Sequence, residues 1–163
     1  MELYILRHGI AEVRRPGRDD ARRELTGKGR ERLRLILDLA RRAGVRPSLI
    51  LTSPYARAAR TAEMAADILA CKKTVPTDAL LPGSSPQAVW EEIRARRQET
   101  ALLLAGHEPL LGQAASFLLG ATWVLLELKK GALVSISIDQ FNRQPRGLLH
   151  WLLTPGLAVA AAP

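Results

Sequence analysis

Two histidines and two arginines stand at or just beyond the ends of apolar runs in this chain, where an anion could be held. Arg7-His8 follows Tyr4-Ile5-Leu6, Arg57 lies shortly after Leu49-Ile50-Leu51-Thr52-Ser53-Pro54, and His107 follows Ala101-Leu102-Leu103-Leu104-Ala105-Gly106. Guanidinium forks match phosphate oxygens bidentately. Taken singly, Arg7-His8 is a strand that finishes in polar residues and Arg57 a surface arginine on a helix. Convergence is what makes a pocket for a phosphoryl dianion out of Arg7, His8, Arg57 and His107. No metal is expected there. His8 and His107 would want a carboxylate or a third histidine as co-ligand, and two neighbouring cations would oppose a divalent ion.

The elements that must position these groups follow from periodicity. Three apolar runs read as buried parallel strands, whose carboxyl ends are where open α/β sheets bind ligands. A polar stretch from Ile10 to Glu24, rich in Arg, Asp, Gly and Pro, reads as a loop over the site. Thr26 precedes a helix from about Lys28 to Ala43 with Leu33, Ile36, Leu37 and Ala40 at helical spacing. A second helix runs from beyond Pro54 to about Ala70 with Ala58, Ala62, Ala65 and Leu69 on its buried stripe, which puts Arg57 in the first turn. There it could reach an anion that also sees helix amides. A short strand is expected around Thr74-Val75, and Pro86 opens a helix with Val89, Trp90 and Ile93. Leu111, Ala114, Ala115 and Leu118 define another helix. Trp123 to Leu128 reads as a short extended piece, Val134, Ile136 and Ile138 alternate as a half-exposed strand, and Gly147 to Leu153 is its antiparallel partner. His150, between Leu149 and Trp151, reads as structural. The alternation of strands and helices predicts a single-domain, three-layer α/β/α sandwich, with a mostly parallel central sheet and an antiparallel edge strand. Residues 1–154 form that domain, and 155–163 are expected to be a flexible tail.

Composition excludes several classes. With 163 residues the chain suits one domain, and 47% apolar against 25% charged residues argues against a disordered or membrane protein. No apolar run is long enough to span a bilayer, and no leader pattern opens the chain, so a cytoplasmic protein is expected. The single cysteine, Cys71, permits no internal disulfide. A net charge of +8 invites a nucleic-acid reading. Its arginines, however, are mostly interleaved with acids on helix surfaces, and only 4% of residues are aromatic, which leaves little for base stacking. Attraction to anionic substrates is the inference, with no nucleic-acid or membrane partner.

Four blocks extend the pattern: Leu6-Arg7-His8-Gly9 with Ala11-Glu12, Leu25-Thr26 with Gly29, Thr52-Ser53-Pro54 with Arg57-Ala58 and Thr61-Ala62-Glu63, and Gly106-His107-Glu108-Pro109. In this order they resemble the histidine phosphatase superfamily (phosphoglycerate mutase-like), and within it the small phosphohistidine phosphatases of the SixA type. The resemblance covers the chain from Met1 to about Leu153. It implies that His8 is a nucleophile that carries the phosphoryl group transiently, that Arg7, Arg57 and His107 bind its oxygens, and that neither metal nor organic cofactor takes part.

Two departures from the larger relatives bear on substrate. Where those carry a carboxylate as proton donor, this chain reads Asp78-Ala79-Leu80-Leu81-Pro82-Gly83, which leaves Glu12 and Glu108 as stand-ins by proximity in sequence. Nothing is long enough for a cap domain, so an open pocket is expected. Both points favour a protein-borne phosphoramidate, such as one on a histidine phosphotransfer domain. A small-metabolite phosphomonoesterase and a non-catalytic phosphate-binding module are the alternatives; the second has no need of a nucleophile among the cations.

Overall fold

The structure, a computed structural model, describes residues 1–160. Glu2–Arg7 (β1), Leu49–Thr52 (β2), Thr74–Pro76 (β3), Ala101–Gly106 (β4), Leu133–Ile138 (β5) and Gly147–Leu153 (β6) make one sheet in the order β3-β2-β4-β1-β5-β6. Neighbours from β3 to β1 are parallel, while β5 runs antiparallel to β1 and β6 to β5. The mostly parallel sheet expected from the sequence is therefore present, with two strands in its antiparallel part.

Helices cover both faces because strand side chains alternate between them. Leu3 and Ile5 of β1 enter one core together with Val89, Trp90 and Leu111 of the helices Pro86–Arg94 (α3) and Leu110–Leu118 (α4). Tyr4 and Leu6 enter the other, with Leu33, Ile36 and Leu37 of Gly27–Arg42 (α1) and Ala62 and Ala65 of Ala56–Leu69 (α2). The buried stripe of α1 is the one its spacing predicts, and Thr26 Oγ1 caps it by accepting from Gly29 N–H at 3.0 Å.

Register explains why separate runs of sequence meet. Arg7 pairs with Gly106 and Thr52 with Ala105, so the carboxyl ends of β1, β4 and β2 lie abreast. β1 continues toward α1 on one face and β4 into α4 on the other, so the chain parts between two adjacent strands and leaves a crevice. The loop after β1 is pinned at its base: Ala11 bridges Leu25, and Ile10 O accepts from Thr26 N–H at 2.9 Å and from its hydroxyl at 3.1 Å. Only glycine fits at position 29, because a Cβ there would lie 2.1 Å from Ile10 O.

Three segments differ from expectation. β5, whose apolar-serine alternation predicts a half-exposed strand, is instead buried at Ser135 as well, on the face where Leu133 joins the α1 and α2 core. Trp123 to Leu128 joins no strand ladder, and it opens with a turn in which Val124 N–H donates to Ala121 O at 2.8 Å. The tail is not free up to residue 160: Pro155–Ala160 (α5) is a short helix that buries Pro155 and Ala158, the latter in the α1 and α2 core. Its buried stripe is one turn long, too short to register as periodicity. Residues 161–163 of the expected tail lie outside the described residues.

Candidate active site

Each sequence-nominated group sits where its strand end predicts. His8, Arg57 and His107 are buried, with 7%, 4% and 2% of their surface exposed, and the two imidazole rings lie 5.1 Å apart between centroids. Burial of a cation and two imidazoles at a strand edge needs specific partners, and the structure supplies them.

The contacts of His8 fix its proton. Nδ1 faces Gly9 O at 2.7 Å, so it carries the hydrogen and donates it; Nε2 faces the Nε–H of Arg57 at 3.3 Å, so it is the acceptor. Nε2 thus carries the lone pair of the ring, engaged here by Arg57. Burial, opposed by the Gly9 carbonyl and reinforced by the charges of Arg57 and Arg7, lowers the His8 pKa to about 4. At neutral pH the ring is therefore neutral.

Arg57 is held by a residue that the sequence reading left inside an undifferentiated loop. Its Nη1 donates to Asp20 O at 2.8 Å and its Nη2 to Asp20 Oδ2 at 3.1 Å, across 37 residues of sequence. Partial burial works toward a higher pKa for Asp20, but hydrogen bonds from Arg23 and Arg57 and their charge prevail and hold it below the usual range. The face of Arg57 also lies 5.1 Å from the Tyr55 ring centre, a cation–π contact. Thr61 ties the helix to the first strand end: its hydroxyl donates to Arg57 O at 2.8 Å and accepts from Gly9 N–H at 3.2 Å.

His107 Nε2 meets Ser53 Oγ at 2.8 Å. That hydroxyl accepts from Tyr55 N–H at 3.3 Å and can donate its own proton to Nε2, the arrangement in which the ring hydrogen sits on Nδ1. Burial, then the proximity of His8 and Arg57, lowers the His107 pKa to about 3. Arg7 Nη1 donates to Leu128 O. Two buried polar atoms, Arg7 Nε and His107 Nδ1, have no partner among the described residues, and both belong to side chains that flank His8. Buried donors are rarely left unpaired without a ligand or water to take them.

The two stand-in acids separate. Glu108 is half-buried beside Arg7, accepts from Leu128 N–H at 3.3 Å, and has its pKa raised by burial against the pull of that hydrogen bond and of Arg7. Glu12 is exposed and its carboxylate accepts from Glu24 N–H at 3.3 Å, with no hydrogen bond to the four central residues. Asp78 starts a 3-10 turn, Asp78–Leu80, against the outside of α3. Ser53 was legible as the polar residue after β2, as His8 is after β1, whereas Asp20 carries no spacing signal. Among the described residues, no three His, Cys, Asp or Glu side chains are grouped to hold a metal ion.

Residues 3–81, with the Arg7-His8 and Arg57 blocks, match the histidine phosphatase superfamily (branch 1). The chain belongs to that superfamily. An uncharacterized protein of Picosynechococcus sp. (strain ATCC 27264 / PCC 7002 / PR-6) is 36% identical over 143 residues, 83% of this chain and 84% of its own. The protein histidine phosphatase SixA in complex with tungstate superposes with a TM-score of 0.87 at 24% identity, covering 96% of this chain and 99% of that one. A mycobacterial glucosyl-3-phosphoglycerate phosphatase superposes at 0.71 with 17% identity over 91% and 96%. At those identities the superpositions establish a shared fold: a small α/β domain of the superfamily with the dimensions of SixA.

Proposed function

We propose that this superfamily member is a phosphohistidine phosphatase, hydrolysing a protein-borne phosphoramidate through a phosphoryl group carried on His8. The observation that carries the reading is the His8 ring itself, pinned at Nδ1 by Gly9 O with its Nε2 lone pair turned toward Arg57. In the first step that lone pair attacks phosphorus in line, the new P–Nε2 bond forms, and the substrate P–N bond breaks. The departing imidazole takes a proton from water. In the second step water attacks phosphorus, its proton passes to solvent, the P–Nε2 bond breaks, and inorganic phosphate leaves with His8 neutral again. Charge on the transferring group stays on its outer oxygens, so the chief contribution of the protein is placed positive charge. Arg7 and Arg57 supply it, neutral His107 adds a hydrogen-bond donor at Nδ1, and the two buried atoms without partners gain one in the bound phosphoryl group. Neither step calls for a metal or a cofactor. The resemblance to SixA supports the phosphoramidate as substrate, as does the segment where the larger relatives carry a proton-donating carboxylate, whose Asp78 lies here against the outside of α3.

Mild, acid-free quenching with labelled substrate tests this. Label is expected on the peptide containing His8, His8→Ala is expected to abolish both label and turnover, and activity is expected to survive chelation. Near-normal activity in His8→Ala would end the proposal.

A second reading has its own observation. Glu108, with its pKa raised beside Arg7, is placed to protonate an alkoxide, which a metabolite phosphate ester would expel. Such an acid contributes ~10²–10⁴-fold in rate. Phosphohistidine turnover within a few-fold of wild type in Glu108→Gln supports the phosphoramidate; rapid alkyl phosphate hydrolysis that this substitution removes selects the monoesterase.

A further inference from the structure

The crevice is flanked by two exposed surfaces that the chemistry above does not use. On the α1 and α2 side, the loop after β1 carries Arg14, Arg15, Arg18 and Arg22, all exposed, around a groove of about 350 Å³ that also includes Asp20, the residue holding Arg57. Its lining is basic on balance, with Arg14, Arg15, Arg18, Arg22 and Arg23 against Glu12, Asp19 and Asp20. Asp20 is committed to Arg23 at 2.8 Å and Arg57 at 3.1 Å, Asp19 pairs with Arg22 at 3.6 Å, and Arg14 comes no closer than 3.9 Å to Asp20. Arg15 and Arg18 meet no carboxylate among the described residues.

On the α4 side stands the loop that delivers Leu128 to Arg7 and Glu108. It holds Trp123 and Leu125 outward, with 80% and 96% of their surface exposed. These residues are not exposed for want of order: Ser116 Oγ donates to Val124 O at 2.6 Å, and Leu126 O lies so near Gly112 that a Cβ there would come within 2.0 Å. Large apolar side chains held outward on an anchored loop mark contact surfaces.

The two flanks lie on opposite faces of the sheet, with the strand ends and His8 between them. Resting on the phosphoramidate reading, we infer that the phosphoryl group is presented on a protein surface with carboxylates on one side of the phosphorylated residue and an apolar patch on the other. The carboxylates pair with Arg14, Arg15, Arg18 and Arg22, and the apolar patch covers Trp123 and Leu125. Charge complementarity of this kind acts on encounter and partner choice more than on the chemical step, so it belongs in KM.

Two peptides of equal length around a single histidine test the inference, one with Asp, Glu and Leu flanks and one with Lys and Ser flanks. Without phosphate, the acidic apolar peptide is expected to bind the full-length protein roughly 10-fold more tightly at low salt, and the preference to fade near ~0.5 M salt, where the screening length is only a few ångströms. With the histidine phosphorylated, the same preference is expected in KM with little change in kcat. Arg15→Glu combined with Arg18→Glu, and separately Trp123→Ser combined with Leu125→Ser, should raise KM for the acidic apolar peptide. Turnover of free phosphohistidine should stay within two-fold, roughly the scatter of surface substitutions. Equal binding of the two peptides overturns the docking surface, as does tighter binding of an oligonucleotide than of the acidic peptide. Equal loss on peptide and on free phosphohistidine also overturns it, because the variants would then act on the site. Preferential peptide binding without hydrolysis of the phosphorylated form leaves the docking surface standing and removes the phosphoramidate reading instead.

Discussion

At the scale of single residues, the site depends on keeping two imidazoles neutral and one guanidinium in place. His8 and His107 have folded-state pKa values of about 4 and about 3. In the unfolded chain both take up protons as pH falls through about 6.5. Below that pH the unfolded state binds protons the folded state refuses, so the stability present at neutral pH is lost progressively on acidification, and this loss is complete only near the folded values. Urea midpoints are expected to fall between pH ~7 and ~4, and more shallowly in His8→Ala; an equal slope in the two proteins would show that His8 is not buried in neutral form. Asp20 acts one step back, through Arg57. Asp20→Ala is expected to lower kcat/KM by roughly 10- to 100-fold through a misplaced guanidinium, with Asp20→Asn, which keeps an acceptor, losing less. A loss confined to stability, with kcat/KM intact, would contradict that positioning role.

At the scale of elements, strands bring the chemistry and loops orient it. The strands and the four residues at or beyond their ends were legible, because a buried parallel strand is an unbroken apolar run and His8, Arg57 and His107 follow such runs. The packing of α1 and α2 was legible for the same kind of reason, from Leu33 to Ala40 and Ala58 to Leu69. What tied the site together was not. Asp20 and Leu128 act through long-range contacts that no spacing encodes, and Leu128 binds Arg7 with its backbone carbonyl, which carries no side-chain signature. The segment around Leu128 is positioned by one close approach, where a Cβ on Gly112 would stand 2.0 Å from Leu126 O and 3.0 Å from Glu108 Oε2. Gly112→Ala must therefore push the loop outward, since neither backbone nor a hydrogen-bonded carboxylate yields easily. A destabilisation of roughly 1–3 kcal/mol is expected from such overpacking, visible in denaturant midpoints, together with a weaker hold on Arg7 seen as reduced phosphate affinity. Wild-type behaviour in both would mean that the loop is not fixed by this contact.

At the scale of the whole molecule, the question is whether a net charge of +8 or a built pocket holds the anion. Geometry separates the two. The 16-residue α1 is about 24 Å long at 1.5 Å per residue and starts near the catalytic edge of the sheet, so Arg41 in its last turn lies near the opposite edge. Arg96, between α3 and the start of β4, is at that same far edge. Both are engaged locally, Arg41 with Asp38 at 3.8 Å and Arg96 with Glu92. At physiological ionic strength the screening length is about 8 Å, so neither contributes much field at His8. Arg57 is buried, points its Nε at His8 Nε2, and has one N–H of each other nitrogen held by Asp20, which fixes the plane of the guanidinium and the direction of its two remaining N–H donors. A hydrogen bond to a charged group is worth about 1.5–3 kcal/mol, or roughly 10- to 150-fold in Kd. Arg57→Ala is expected to weaken vanadate or phosphate binding by that factor, and Arg41→Ala and Arg96→Ala by less than about two-fold. Raising salt should then reduce the small effects of the surface substitutions and leave most of the Arg57 effect, because a buried pair is screened far less than an exposed one. Equal losses from all three substitutions, all erased by salt, would assign anion binding to the basic surface as a whole and not to the crevice at the ends of β1, β2 and β4.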